Sequence, residues 1–243
     1  MIHGPNDDVC ILDLVSGIPR WRHRPIRLRL SSSGHIQSNT LNPSWFHESL
    51  WPEDVIVVGF CWNEVTTVAT ILDVVVGGLF SMTPFVVSGF SAIYYLPVTA
   101  LQSVPALRPP ATRAIDVFFD IEVNFVGATL GLRNANAASF ASPVNSFGVG
   151  SPATGIVSPT LSKNGLIFAV GGFNSPVGGV IVTPEDNPTL NELVNGEASS
   201  AFSFVTGSVI DKWSSFASTD LTWDNAPPAA GFDISACEIR GTK

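Results

Sequence analysis

The chain has 243 residues, 45% of them hydrophobic and only 13% charged, with a formal net charge of −8. That length buries a sizeable core, as one large β domain or two small ones, and that composition excludes a disordered tail. The apolar residues are rich in Val, Ile and Phe, with Ser, Thr, Gly and Pro between them, which is the palette of strands and turns rather than helices.

Residues 1–50 differ in kind from the rest and are predicted to form an extended N-terminal arm. They hold His3, His23, His35 and His47, and the cluster Arg20, Arg22, Arg24, Arg27 and Arg29. If "RWRHRPIRLRL" is extended, Arg27 and Arg29 point one way while Ile26, Leu28 and Leu30 point the other. Such a segment suits adding a strand to a partner's sheet edge. Arg22, Arg24, Arg27 and Arg29 would meet carboxylates, and Trp21, Trp45, Phe46 and Trp51 would supply apolar anchors. The competing reading folds the arm back onto its own sandwich as an extra edge strand. A helical turn is expected at "SWFHESLW", with Ser44 as its cap and Pro52 ending it. The first residues show no basic segment followed by an apolar one, so no signal peptide is expected and synthesis in the cytoplasm follows.

Residues 51–243 are expected to form the sandwich, with halves at 51–134 and 164–243 and a connector at 135–163. The first strand is "EDVIVVGFCWN", Glu53–Asn63. No charge then appears between Asp73 and Arg108. The run "VVVGGLFSMTPFVVSGFSAIYYL" is long enough to cross a bilayer, but Gly77-Gly78, Pro84 and Gly89 interrupt it at strand-length intervals. Without flanking basic residues, strands joined by turns are expected, and no membrane partner. Proline-rich "LPVTALQSVPALRPPAT" reads as a long loop. Phe119, Ile121, Val123 and Phe125 alternate with Asp120, Glu122 and Asn124, which predicts one half-buried strand through all seven. The connector, rich in Ser, Asn, Gly and Pro, is expected to run over the surface with one or two edge strands.

The remainder repeats the first half. "NGLIFAVGGFN", Asn164–Asn174, matches Glu53–Asn63, and "FDISACEIRG", Phe232–Gly241, matches "FVGATLGLRN", Phe125–Asn134. Between these phrases both copies carry an aromatic strand and a strand led by Asp, at Asp116 and Asp220. One departure stands out: the second closing phrase has Glu238 where the first has Gly131. The fold class predicted is an all-β, antiparallel, jelly-roll-like sandwich built from two repeated halves. Two separate small sandwiches are the alternative.

No motif names a reaction. No histidine follows His47, so a Ser-His-Asp or Cys-His set would have to borrow its base from the arm. The histidines lack zinc spacing, and Cys10, Cys61 and Cys237 lack metal or redox spacing; Cys61 and Cys237 sit in apolar runs and read as buried free thiols. "GSPATGIV" has Ile156-Val157 where a phosphate loop needs Lys and Ser or Thr, so it is a turn. "PEDN", Pro184–Asn187, reads as a solvated turn before a calcium site. No catalytic, cofactor-binding or metal-binding residue is assigned. The carboxylates of Asp120 and Glu122, two apart on one strand face, fall at a glycosidase-like separation, but such alternation is the mark of a wet face. Tyr94, Tyr95, Trp213 and Trp223 are candidates for a sugar-stacking platform, Trp213 and Trp223 foremost.

The acidic turn before "DVIVVGFCWN", then "VVVGG", an aromatic strand and the terminal Phe232-x-x-x-Ala236-x-Glu238-Ile239-Arg240-Gly241 resemble β-sandwich domains of tailed-phage virion proteins and bacterial surface proteins. The resemblance covers about residues 50–243 and implies a non-enzymatic domain that decorates particles or attaches them to something. Residues 50–243 carry sixteen acids against seven bases, which argues against nucleic acid as a partner. The function expected is therefore a structural component of a tailed-bacteriophage virion. It would be an accessory of capsid (decoration or cement) or tail, docking through its arm on other virion proteins and on copies of itself. A glycan-binding receptor-binding or adhesin module, meeting a host-surface glycan, is the alternative. A sandwich-fold glycosidase is the third reading.

Overall fold

The structure is a computed structural model. It describes residues 10–12, 19–21, 27–29, 35–49, 53–64, 69–108, 110–149, 153–157, 165–174, 181–184, 190–199, 202–210, 219–226 and 231–241. Most of this is antiparallel strand, with three short 3-10 turns at Val98–Ser103, Pro105–Leu107 and Ala137–Ser139. The chain is an all-β sandwich.

In chain order the strands are β1 (Cys10–Leu12), β2 (Pro19–Trp21), β3 (Arg27–Arg29), β4 (His35–Thr40) and β5 (Ser44–Ser49). There follow β6 (Val55–Glu64), β7 (Ile71–Val76), β8 (Phe80–Ser81), β9 (Thr83–Val87), β10 (Ser91–Pro97), β11 (Ala111–Phe119) and β12 (Val123–Arg133). The last are β13 (Phe140–Gly148), β14 (Ala153–Val157), β15 (Gly165–Asn174), β16 (Ile181–Pro184), β17 (Leu190–Ser199), β18 (Phe202–Ile210), β19 (Thr219–Ala226) and β20 (Gly231–Arg240).

Apart from the β1–β2 pair, four sheets form. Sheet B runs β3-β12-β6-β10-β9, with β4 also paired to β12, and sheet C runs β5-β11-β7-β8. Sheet D runs β13-β20-β15-β18-β17 and sheet E runs β14-β19-β16. Sheet B contains the run β12-β6-β10-β9 and sheet D the run β20-β15-β18-β17, although B has six strands against five in D and C has four against three in E.

The pairings explain why the sequence echoes itself. The opening and closing phrases of each half are hydrogen-bonded neighbours: β6 lies on β12, with Val55 opposite Leu132, and β15 lies on β20, with Leu166 opposite Ile239. In the first half the corner is tied by side chains as well. Asn134 takes a left-handed φ of 64° and donates its N–H to Asp54.

Strand β6 alternates between two cores. Ile56, Val58, Phe60 and Trp62 face sheet C, packing with Trp45, Val74, Val76, Tyr94, Ile115, Val117, Phe119 and Phe125. Val55, Val57 and Cys61 face sheet D, packing with Ile93, Leu130, Leu166, Phe168, Val170, Cys237 and Ile239. Strands buried on both faces lose the polar alternation, which is why these stretches read as unbroken apolar runs. The uncharged run after Asp73 is β7 to β10, turned at Gly77-Gly78, where both φ angles are positive (62° and 68°) and suit glycine. No helix of the described residues is long and apolar enough to cross a membrane.

Two local expectations are corrected. Ser44–Ser49 is a strand, not a helical turn: its residues alternate exposed and buried, and all six pair with β11. Ser44 caps nothing; its hydroxyl donates to Asp116 Oδ1 at 2.7 Å. The alternating segment Phe119–Phe125 is not one strand. β11 ends at Phe119 in sheet C and β12 begins at Val123 in sheet B. The corner is pinned by Asp120, whose Oδ1 accepts the Thr70 N–H at 2.7 Å and whose own N–H reaches the Thr70 carbonyl at 3.2 Å.

Candidate functional site

The chemistry-bearing side chains of the described residues gather in two buried places. The first joins the arm to the sandwich. Inward alternation on β5 buries Trp45, His47 and Ser49, and the same alternation on β11 buries Arg113. Glu53, just before β6, enters between them. His47 Nε2 lies 3.0 Å from Glu53 Oε1, Ser49 Oγ donates to Glu53 Oε2 at 2.5 Å, and Arg113 Nη1 donates to the same oxygen at 3.2 Å. Arg113 Nη1 also donates to Ser49 Oγ, and its Nε and Nη2 donate to the Leu107 carbonyl at 2.9 and 2.6 Å. Burial pulls the Arg113 pKa down from its ordinary value, while the Glu53 charge and hydrogen bond push the other way.

This cluster holds a serine, a histidine and a carboxylate, yet it is not a nucleophile with its base. The Ser49 hydroxyl gives its proton to Glu53, not to His47, and Glu53 stands between them. All four side chains are at most 5% exposed. What the arrangement does is hold strand β5 to the entrance of β6 and to β11, with one positive and one negative group satisfied by each other. Glu53 lies over Gly131, where any Cβ would collide with its carboxylate. This accounts for the departure in the closing phrase. The first half brings its buried carboxylate from Glu53 and keeps position 131 empty, whereas the second has Asn164 in the sequence position of Glu53 and carries Glu238 on β20 itself. Glu238 is buried and accepts from Arg240 Nε at 2.9 Å.

The second place lies where sheet B meets sheet D. Asp233 of β20 accepts the Phe90 N–H on Oδ2 at 2.7 Å, and Ser91 Oγ lies 2.7 Å from Ser235 Oγ. Among the described residues, Asp233 Oδ1 has no hydrogen-bond partner. Burial raises the Asp233 carboxyl above the ordinary carboxylate value, opposed by bonds from Phe90, Ser88 and Ser91. Burial, with help from the Asp233 charge, also pushes the Cys61 thiol up. Cys61 and Cys237 are free and buried.

The folded protein thus holds the Asp233 proton more tightly than the unfolded chain. This contribution to stability is present in acid and is lost as pH rises through the folded value. Asp233→Asn keeps an oxygen for the Phe90 N–H and removes the charge. In denaturant titrations the variant is expected to gain on the parent as pH climbs from the ordinary carboxylate value toward neutrality. A gap that stays equal at every pH would overturn this account of Asp233.

The residues named from the sequence fare as follows. Trp45 is core, 5% exposed, with its Nε1 donating to Thr129 Oγ1 at 2.8 Å, so its ring anchors this chain's own sheets and not a partner. Phe46, its neighbour, points outward and is 64% exposed. Trp21, Arg27 and Arg29 lie on strands β2 and β3, with side chains outside the described residues; Arg22, Arg24 and Trp51 lie wholly outside them. β3 and β4 pair with β12 of the same chain, as the fold-back reading of the arm requires for residues 27–29 and 35–40. Tyr94 is in the core, and Tyr95 is half-buried with one ring face stacked on Phe140 at 4.5 Å. Trp213 and the PEDN turn beyond Pro184 lie outside the described residues, as does the side chain of Trp223. Asp120 and Glu122 sit on a corner rather than a strand face, and Asp120 is bound to Thr70. Ala153–Val157 is strand β14, so no helix follows Gly150 as a phosphate loop would need. No cluster of metal-ligating side chains occurs among the described residues.

Sequence reasoning missed the Glu53–Arg113 cluster. Its only trace is the Glu53/Gly131 pair exchanged for Asn164/Glu238.

The chain matches no protein-family model, no curated protein and no solved structure.

Proposed function

We propose that this protein is a non-enzymatic structural component of an assembly, built on jelly-roll-like halves. Of the assemblies its sequence resembles, a tailed-phage virion fits it best, with the chain as an accessory of capsid or tail. The observation that carries the reading is where the polar and apolar groups are spent. Its buried ionisable groups hold its own sheets together, whereas large apolar side chains stand in solvent. Phe46, Leu72 and Leu79 are 64–66% exposed on sheet C and its turn, and Phe147 and Val149 are 78 and 79% exposed at the end of β13. Contiguous exposed apolar patches mark surfaces that other proteins cover, and we read these side chains as parts of such patches. The outer face of sheet C carries Glu48 and Asp116 near Phe46, and Asp73 farther along β7. Acidic groups beside apolar ones suit an arginine-bearing segment such as residues 20–26 of another copy.

The test uses particles lacking the protein. The full chain is expected to bind them, and a chain lacking residues 1–26, which keeps β3 onward, is expected to fold with the same circular dichroism but bind weakly. Failure of the full chain to bind, together with capture on a glycan array lost on Trp213→Ala or Trp223→Ala, would replace this reading with the adhesin one.

A further inference from the structure

Take the strands of the two halves in correspondence: β4 with β13, β6 with β15, β9 with β17, β10 with β18 and β12 with β20. Across the face between sheets B and D, β4 touches β17 and β9 touches β13; β12 touches β18 and β10 touches β20. β12 also touches β17 while β9 touches β20, and β6 touches β18 while β10 touches β15. Exchanging each strand for its counterpart turns the first contact of every pair into the second. The remaining contact, β6 with β15, turns into itself. That reciprocity is the property of an isologous interface, in which patch i meets patch j and j meets i.

We infer that a pseudo-two-fold axis runs between β6 and β15, parallel to them. The chain is then an isologous dimer of two sandwiches folded into one polypeptide, and the partner for which sheet B is shaped is its own second half.

The residues on the axis carry the inference to side chains. Positions 59 and 170, and 61 and 172, are counterparts (170 − 59 and 172 − 61 both give 111). A Cβ on Gly59 would lie 2.5 Å from Val170 Cγ1, and one on Gly172 would lie 3.0 Å from Cys61 Cβ. Each glycine therefore faces its own counterpart. In a dimer of identical chains a residue on the axis meets itself, so a large one collides and a small one leaves a void. Joining the halves covalently removes that restriction, and both places hold one glycine against its larger counterpart, with an aromatic ring beside it: Phe168 at Gly59 and Phe90 at Gly172. The same complementarity disfavours pairing two first halves or two second halves. Glycine on glycine would leave position 59 unfilled, and valine on valine would overfill position 170.

The register is tested by crosslinking the full chain after refolding in an oxidising thiol buffer. Disulfides need Cβ atoms about 3.5–4.5 Å apart. G172C, which needs a shift of a few tenths of an ångström, is expected to give a disulfide to Cys61 in most molecules, read as a linked peptide pair by mass spectrometry. V170C, displaced from Cys61 by a two-residue strand step of about 6.6 Å, is expected to give only background. G59C/V170C in a C61A chain, which tests the other counterpart pair, is expected to crosslink and stands in if G172C does not fold. V170C linking to Cys61 as readily as G172C does would overturn the axis. So would folded variants at both counterpart pairs that stay reduced.

Discussion

Replacing Arg113 with methionine is expected to cost about 3–5 kcal/mol, the range for breaking a buried ion pair by removing one partner. The guanidinium is wholly buried and serves three acceptors: Glu53 Oε2 at 3.2 Å, Ser49 Oγ, and the Leu107 carbonyl twice. Methionine fills part of the volume but leaves the Glu53 carboxylate in the interior without its cation. It also strands the Leu107 carbonyl, which anchors the loop before β11. Adding Glu53→Gln to the same chain should recover part of the loss, because the remaining buried group is then neutral and still able to bond His47 and Ser49. Equilibrium unfolding in urea of the parent, both single variants and the double variant measures the coupling. A cost below about 1 kcal/mol for Arg113→Met, the worth of an exposed pair, would mean that the cluster is not sealed from water.

The second large effect falls on Phe60, for which truncation to alanine is expected to cost about 3–5 kcal/mol. Its ring lies among Phe125 at 5.3 Å, Tyr94 at 5.7 Å in a stacked arrangement, Trp62 at 5.8 Å and Phe119 at 6.4 Å edge-on. These rings come from β6, β10, β11 and β12, in two sheets, so no single neighbour can move to fill the space. Because β6 places alternate residues in both cores, the loss should not stay on one side. Phe60→Ala between sheets B and C, and Phe168→Ala between sheets B and D, are each expected to lower one cooperative melting transition as a whole. Two transitions, with Phe60→Ala moving one of them alone, would show the cores to be independent.

The part of this fold that the sequence determined on its own is the part governed by local pattern. Apolar β-branched runs such as Val55–Phe60 and Leu166–Val170 can be little other than buried strands, and Gly77-Gly78 is a turn wherever it occurs. The phrases Glu53–Asn63 and Asn164–Asn174, alike in sequence, both fall on strands that pair with the closing phrase of their own segment, β6 on β12 and β15 on β20. Tertiary structure decided everything that depends on a distant partner. Ser44–Ser49, with a serine at its start and a proline beyond its end, suits a helical turn as well as a strand, and only the open edge of β11 chose between them. At Asp120 the alternation runs through a corner unbroken, because a chain crossing from one sheet to the next keeps one side apolar. Glu53 and Arg113 are sixty residues apart, and nothing local marks either as buried. A charge enters a core only where the fold brings its counter-charge to meet it, and that meeting is a property of the folded chain.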